Sequence, residues 1–102
     1  MTMTVKWLSY EFSVLMMDSG WNDIGGVYIF AALDVTSWYP TYVGATDSFK
    51  VSLTAAHEMW TAACQLEATY VHAMAVLQQA ERQAIAAELI EKFQPPLNTR
   101  HR

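Results

Sequence analysis

The stretch GVYIFAALDVTSWYPTYVGAT, residues 26–46, predicts the centre of the fold. Residues 26–33 and 39–44 are two short runs rich in side chains that favour β-strands. Residues 34–38 between them form a loop short enough to join antiparallel neighbours. The stretch therefore predicts a β-hairpin in which each strand carries a tyrosine close to a glycine.

Three further elements follow the hairpin. Residues 48–64 repeat apolar side chains at spacings of three and four, which predicts an amphipathic helix with Asp47 or Thr46 as its cap. Residues 68–76 suit a third strand, and residues 78–93 suit a last helix. The order of elements predicts an α/β (α+β) fold with a small, mainly antiparallel sheet of three strands flanked by helices.

The length of the chain, 102 residues, fits one domain with a core that needs no disulfide. We therefore expect a single domain over residues 1–102. Residues 1–20 mix apolar and polar side chains with neither period dominant, so helix and strand both stay open for this N-terminal extension.

The composition is rather apolar, with 53% hydrophobic and 16% charged residues. Four Trp, five Tyr and six Met exceed what a small core easily buries. Such side chains favour an apolar surface used for self-association or for a protein partner. A tightly packed monomer is the alternative.

The charge of the chain argues against ordinary nucleic-acid binding. The formal net charge is −4, and Lys50 is the only Lys or Arg between Trp7 and Glu81. Binding to a phosphate backbone usually depends on clustered cations. The tail Arg100-His101-Arg102 is either a local basic patch or a solvated terminus. Nucleic acid is therefore a possible partner with weak support from charge.

Cys64 is the only cysteine, which excludes an internal disulfide and a multi-cysteine metal site. Residues 1–17 contain an apolar stretch that polar residues interrupt, so it resembles neither a signal peptide nor a membrane span. We therefore expect a cytoplasmic protein with no membrane attachment.

The tyrosine and glycine pattern continues along the chain. Gly26-Val27-Tyr28 and Tyr42-Val43-Gly44 are followed by matching positions at Ala45, Thr46, Asp47, Ser48, Phe49, Lys50, Leu53, His57, Leu89, Ile90, Phe93, Gln94, Pro95, Pro96, Leu97 and Asn98. In this order the residues resemble the GIY-YIG endonuclease family. The resemblance covers about residues 26–98, and it is the combination of positions that makes it specific.

The resemblance implies catalytic positions at Tyr28, Tyr42 and His57. In the family the tyrosines contact or activate the attacking water. The histidine is the candidate for residual acid–base chemistry, because histidine titrates near neutral pH. Gly26, Gly44 and Asn98 correspond to structural positions of the site, and the asparagine braces it.

Two catalytic positions of the family carry other side chains. Ser52 stands where the family has an arginine that stabilises charge on the scissile phosphate, and Ala86 stands where it has a glutamate that binds Mg²⁺ or another divalent metal. Serine supplies no fixed cation and alanine no metal ligand. We therefore expect no metal to bind here.

Neighbouring charged residues do not replace these side chains without a shift of the helix. Lys50 and Glu88 point about 200° away from positions 52 and 86. Glu58 follows Ser52 by six residues and is not placed to substitute for it either. Arg82, one turn before Ala86, either touches a phosphate or forms a surface salt bridge.

The resemblance and its departures favour a catalytically degenerate GIY-YIG nuclease-like protein that acts as a binding or regulatory module. One alternative is a metal-dependent GIY-YIG DNA endonuclease inactivated by substitutions at Ser52 and Ala86. A second alternative is a DNA-binding protein that does not cleave. Restoring Ser52→Arg and Ala86→Glu separates the degenerate protein from the inactivated endonuclease. Failure of these changes to restore cleavage would weaken the inactivated-endonuclease hypothesis.

Overall fold

The computed structural model describes residues 3–17 and 19–99. Along the chain the elements are β1 Thr4–Trp7, β2 Tyr10–Met16, β3 Gly26–Asp34, β4 Ser37–Thr46, α1 Phe49–Ser52, α2 Trp60–Gln65, β5 Ala68–Ala75, α3 Gln79–Phe93 and α4 Pro96–Thr99. The strands form one antiparallel sheet in the order β1-β2-β5-β3-β4. The chain is therefore a mixed α+β domain. The tail Arg100-His101-Arg102 lies outside the described residues.

The predicted hairpin is confirmed. β3 and β4 pair with Tyr28 opposite Gly44 and Phe30 opposite Tyr42. The connection is shorter than expected, because only Val35 and Thr36 separate the two strands. Val35 adopts a left-handed backbone with φ of 56°, as tight hairpin turns require.

The predicted number of strands is too small, because the sheet has five strands and not three. β3, β4 and β5 correspond to the predicted strands, and residues 4–16 add β1 and β2. β2 pairs with the free edge of β5. In β2 only Phe12 is fully buried, so the N-terminal segment lacks the clear alternation that reveals a strand.

The predicted helix over residues 48–64 is wrong as a continuous element. α1 ends after one turn, and Trp60 begins α2. Thr54 Oγ1 accepts a hydrogen bond from the Ala56 backbone amide, and His57 Nδ1 accepts one from the Met59 amide. Such local bonds compete with the helical pattern. The cap is also different from the predicted ones, since the Ser48 hydroxyl accepts the bond from Val51 N–H.

Two hydrophobic cores lie on opposite faces of the sheet. The core that contains α3 side chains consists of Trp7, Phe12, Val27, Ile29, Ala31, Val43, Val76, Ile85, Ala86 and Leu89. The core that contains α1 and α2 side chains consists of Met17, Tyr28, Phe30, Phe49, Leu53, Ala63, Ala68, Val71, Ala73 and Leu97. Within the described ranges no helix combines the length and the apolar character that crossing a membrane requires.

His72 lies fully buried in the core on the α3 side. The Trp7 indole N–H donates a hydrogen bond of 2.8 Å to His72 Nδ1, so this histidine has a structural role in the core. The Trp38 ring meets the imidazole edge-on with the ring centroids 4.4 Å apart. Burial disfavours the charged imidazolium and lowers the pKa of His72 to about 4.

We predict that replacing Gly44 by Ala destabilises the hairpin. A Cβ at this position would overlap Cζ and Oη of Tyr28, so the tyrosine ring or the strand must move. Displacing well-packed groups costs on the order of 1–3 kcal/mol of unfolding free energy. Gly20→Ala is the matched control, because nothing lies within 4 Å of a Cβ there. Equal denaturant midpoints for Gly44→Ala and Gly20→Ala would contradict the prediction.

We also predict that His72 makes the protein less stable in acid. Between about pH 6.5 and about pH 4 the unfolded chain binds a proton at His72 and the folded chain does not. The free energy of unfolding therefore falls with decreasing pH, by on the order of 2 kcal/mol between pH 7 and 4.5. Urea unfolding of the wild type and of His72→Gln, which keeps an acceptor for Trp7, measures this. An identical pH dependence in both proteins would refute it.

Candidate functional site

Three of the predicted site residues come together on one face of the sheet. The ring centroids of Tyr28 and Tyr42 are 6.2 Å apart, and the His57 ring lies 5.7 Å from Tyr28 and 5.6 Å from Tyr42. We call these residues the tyrosine–histidine cluster. The Tyr28 side chain is 4% exposed, and the other two are half-buried. The cluster is thus partly accessible to solvent, through Tyr42 and His57.

The strands and the interrupted helix position the cluster. Tyr28 and Tyr42 lie on adjacent strands, and Gly44 leaves the space into which the Tyr28 ring extends. His57 lies in the segment between α1 and α2, which folds back over the sheet instead of continuing as a helix. The break in the predicted helix is therefore what places the histidine against the tyrosines.

A chain of two hydrogen bonds fixes the protonation of His57. The Met59 backbone amide donates to Nδ1 at 3.0 Å, so Nδ1 carries no proton. The neutral ring therefore has its proton on Nε2, which lies 2.6 Å from the Tyr28 oxygen. It follows that His57 Nε2–H donates to Tyr28. Neither ring nitrogen keeps a free lone pair with which to accept a proton.

The environment holds all three groups in their neutral forms. Burial raises the pKa of the Tyr28 phenol well above its ordinary value, and the nearby Tyr42 and Glu58 raise it further. Burial and Glu58 also raise the pKa of Tyr42. Burial lowers the pKa of His57, although Glu58 opposes that shift. At neutral pH the cluster therefore contains two phenols and an uncharged imidazole.

Glu58 is the site residue that sequence reasoning missed. Its negative charge contributes to the pKa shifts of Tyr28, Tyr42 and His57. The side chain itself is exposed. The expectation that Glu58 is badly placed assumed a continuous helix. In the sequence, only the position of Glu58 next to His57 could have indicated that it acts on the site.

Ser52 and Ala86, where the resemblance predicts an arginine and a glutamate, lie in different surroundings. The Ser52 hydroxyl is hydrogen-bonded to Thr46 Oγ1 at 2.6 Å, at the end of β4. Ala86 is buried with Val27 and Ile29 in the core on the opposite side of the sheet from Tyr28. The structure thus does not bring Ala86 into the tyrosine–histidine cluster.

Gly26 and Asn98, like Gly44 above, are predicted structural positions with clear physical roles. A Cβ at Gly26 would overlap the Met74 carbonyl oxygen and approach Phe49 Cζ to 2.5 Å, so glycine lets α1 pack against β3. Asn98 pairs with both backbone groups of Val43, accepting from its N–H at 2.8 Å and donating to its carbonyl at 2.9 Å. Because β4 is an edge strand, this amide satisfies backbone groups that would otherwise face solvent.

Metal ligands are sparse around the cluster. In the described part of the chain no three His, Cys, Asp or Glu side chains come close enough together to hold a metal ion.

Comparisons with known proteins found no matching family model, no matching curated protein and no matching solved structure.

We predict that Tyr28→Phe destabilises the fold by about 1–3 kcal/mol, because the partly buried His57 Nε2–H loses its acceptor. Tyr39→Phe is the matched control, since Tyr39 is 53% exposed. Chemical denaturation of the three proteins at pH 7 gives the comparison. A Tyr28→Phe protein as stable as wild type would show that the phenol is not the acceptor.

Proposed function

We propose that the chain is a GIY-YIG-type domain that does not cleave phosphodiester bonds and serves as a binding or regulatory module. In this proposal β3, β4 and β5 are the family's three-stranded core, and the β1–β2 hairpin is an addition to it. The resemblance over residues 26–98 motivates the assignment. The proximity of Tyr28, Tyr42 and His57 supports it.

The protonation of the tyrosine–histidine cluster is the observation that carries the proposal. Activating a water molecule for attack on phosphorus requires a group that accepts its proton. His57 has both ring nitrogens engaged, and the raised pKa keeps the Tyr28 phenol protonated. The raised pKa of Tyr42 keeps its phenol protonated as well. None of the three cluster side chains is therefore free to act as a general base at neutral pH.

The electrostatics of the site support the same proposal. Cleavage needs positive charge to stabilise the developing charge on the phosphate. Ser52 supplies a hydroxyl that is already bonded to Thr46, and Ala86 is buried without a carboxylate. Glu58 adds negative charge beside the tyrosines. We infer that the divalent metal of the family has no suitable ligand set here.

An exposed apolar surface favours a protein as the partner. A groove of about 320 Å³ beside the start of β5 is lined by Met16, Met17, Trp60, Cys64, Ala68 and Thr69. Met16 is 53% exposed, and Leu66 of the α2–β5 connection is 40% exposed. Exposed apolar side chains of this kind are typical of interaction surfaces. The partner is either another protein or a second copy of the chain.

We predict that the wild-type protein does not nick supercoiled plasmid or cut linear DNA with Mg²⁺ or Mn²⁺. The wild type is compared with Tyr28→Phe, which lacks only the phenol oxygen at the cluster. Nicking by the wild type that Tyr28→Phe abolishes would overturn the proposal.

A second arm restores the family's side chains with Ser52→Arg and Ala86→Glu together. Circular dichroism must first show that this variant folds, because Ala86 is 7% exposed and a buried carboxylate is destabilising. Cleavage by the folded variant alone would support the inactive GIY-YIG assignment. Failure of the folded variant to cleave would count against Ala86 as the position of the family's glutamate, because Ala86 lies on the opposite side of the sheet from Tyr28. The wild type would remain a protein that does not cleave.

A further inference from the structure

A cavity between the end of β4 and the first turns of α3 contains a buried cation. We call it the Arg82 cavity, and it is lined by Ala45, Thr46, Asp47, Gln79, Arg82 and Gln83. The Arg82 side chain is only 9% exposed. Arg82 is therefore buried, whereas one prediction from the sequence placed it in a salt bridge on the surface.

The described partners of Arg82 are uncharged. Its Nη1 donates to the backbone carbonyls of Val76 at 3.1 Å and Leu77 at 2.9 Å. A guanidinium has five N–H donors, and these two bonds engage only one of its nitrogens. Removing a positive charge from water is costly unless a negative charge compensates for it. An anion in the cavity would supply that compensation.

Other features of the cavity also favour an anion. A Cβ at Gly25 would approach Arg82 Nη1 to 2.8 Å and the Thr46 carbonyl oxygen to 2.9 Å, so glycine leaves room for the guanidinium. Gln79 is the first residue of the 15-residue helix α3, so the positive end of the helix dipole lies at the cavity. Gln79 and Gln83 also line the cavity, and a glutamine amide can donate hydrogen bonds to an anion.

We propose that the Arg82 cavity binds a phosphate group, with the guanidinium of Arg82 as its principal cation. The cavity volume is about 170 Å³. This is roughly ten times the volume that one water molecule needs in a cavity, so a phosphate group fits. Arginine matches the geometry of phosphate oxygens well, because its planar fork can donate two parallel hydrogen bonds.

Asp47 is the one acidic group that lines the cavity, and it opposes an anion. Its side chain is exposed, so solvent screens its charge. The carboxylate therefore weakens binding without preventing it. Replacing Asp47 by a neutral side chain should therefore strengthen binding of the anion. A purely structural role for Arg82 does not predict this effect.

The proposal is independent of the proposed function. Tyr28, Tyr42 and His57 do not line the Arg82 cavity. Phosphate binding there does not depend on the family resemblance. Failure of phosphate binding would leave the absence of cleavage untouched. DNA cleavage by the wild type would equally leave the cavity's chemistry standing.

The test is a titration of the ¹⁵N-labelled protein at constant ionic strength, followed by NMR. The probes are inorganic phosphate and a thymidine tetranucleotide with and without a 5′-phosphate. We expect saturable shifts of the Arg82 Nε–H and of the Gln79 and Gln83 amides with inorganic phosphate. Binding of only the phosphorylated tetranucleotide identifies a terminal phosphate as the ligand, and binding of both shows that the backbone phosphate also enters.

Two pairs of variants separate the cavity from the overall charge. Asp47→Asn should tighten phosphate binding by about two- to fivefold, and Gln83→Glu should weaken it by a similar factor. Asp34→Asn, at the opposite end of the hairpin, and Gln65→Glu, on α2, make the same changes in net charge elsewhere. Absence of saturable shifts, or equal effects of the control variants, would overturn the proposal.

Discussion

The hydrogen-bond chain from Met59 through His57 to Tyr28 is the constraint on which the candidate site depends. It needs the helix to break after Ser52, because only then does the histidine fold back over the sheet. It also needs a glycine at position 44, since any side chain there would occupy the space of the Tyr28 ring. Tyr28 thus depends on Gly44 of the hairpin for its position and accepts the hydrogen bond from His57 Nε2–H.

The distribution of charge separates two regions at the end of β4. The tyrosine–histidine cluster is neutral with a carboxylate, Glu58, nearby, whereas the Arg82 cavity contains a buried cation. Thr46 lines the Arg82 cavity and is hydrogen-bonded through its hydroxyl to Ser52.

The sequence predicted those parts of the fold whose signals are local. The hairpin and β5 are rich in β-forming side chains, and the α3 repeat of buried residues continues over several turns. The break after α1 was not predictable, because it depends on side chain–backbone bonds of Thr54 and His57 with no Gly or Pro to mark it. For the same reason the position of Glu58 was missed.

His57 cannot act as a base because its Nδ1 accepts a hydrogen bond from the Met59 amide and its Nε2–H donates one to Tyr28. A long-range ¹H–¹⁵N correlation spectrum of the imidazole at neutral pH tests it directly, since the two ring nitrogens differ in chemical shift according to which carries the proton. We expect neutral His57 with the proton on Nε2. A proton on Nδ1 would leave Nε2 as the acceptor for the Tyr28 hydroxyl, which is the arrangement of a general base, and would contradict this account.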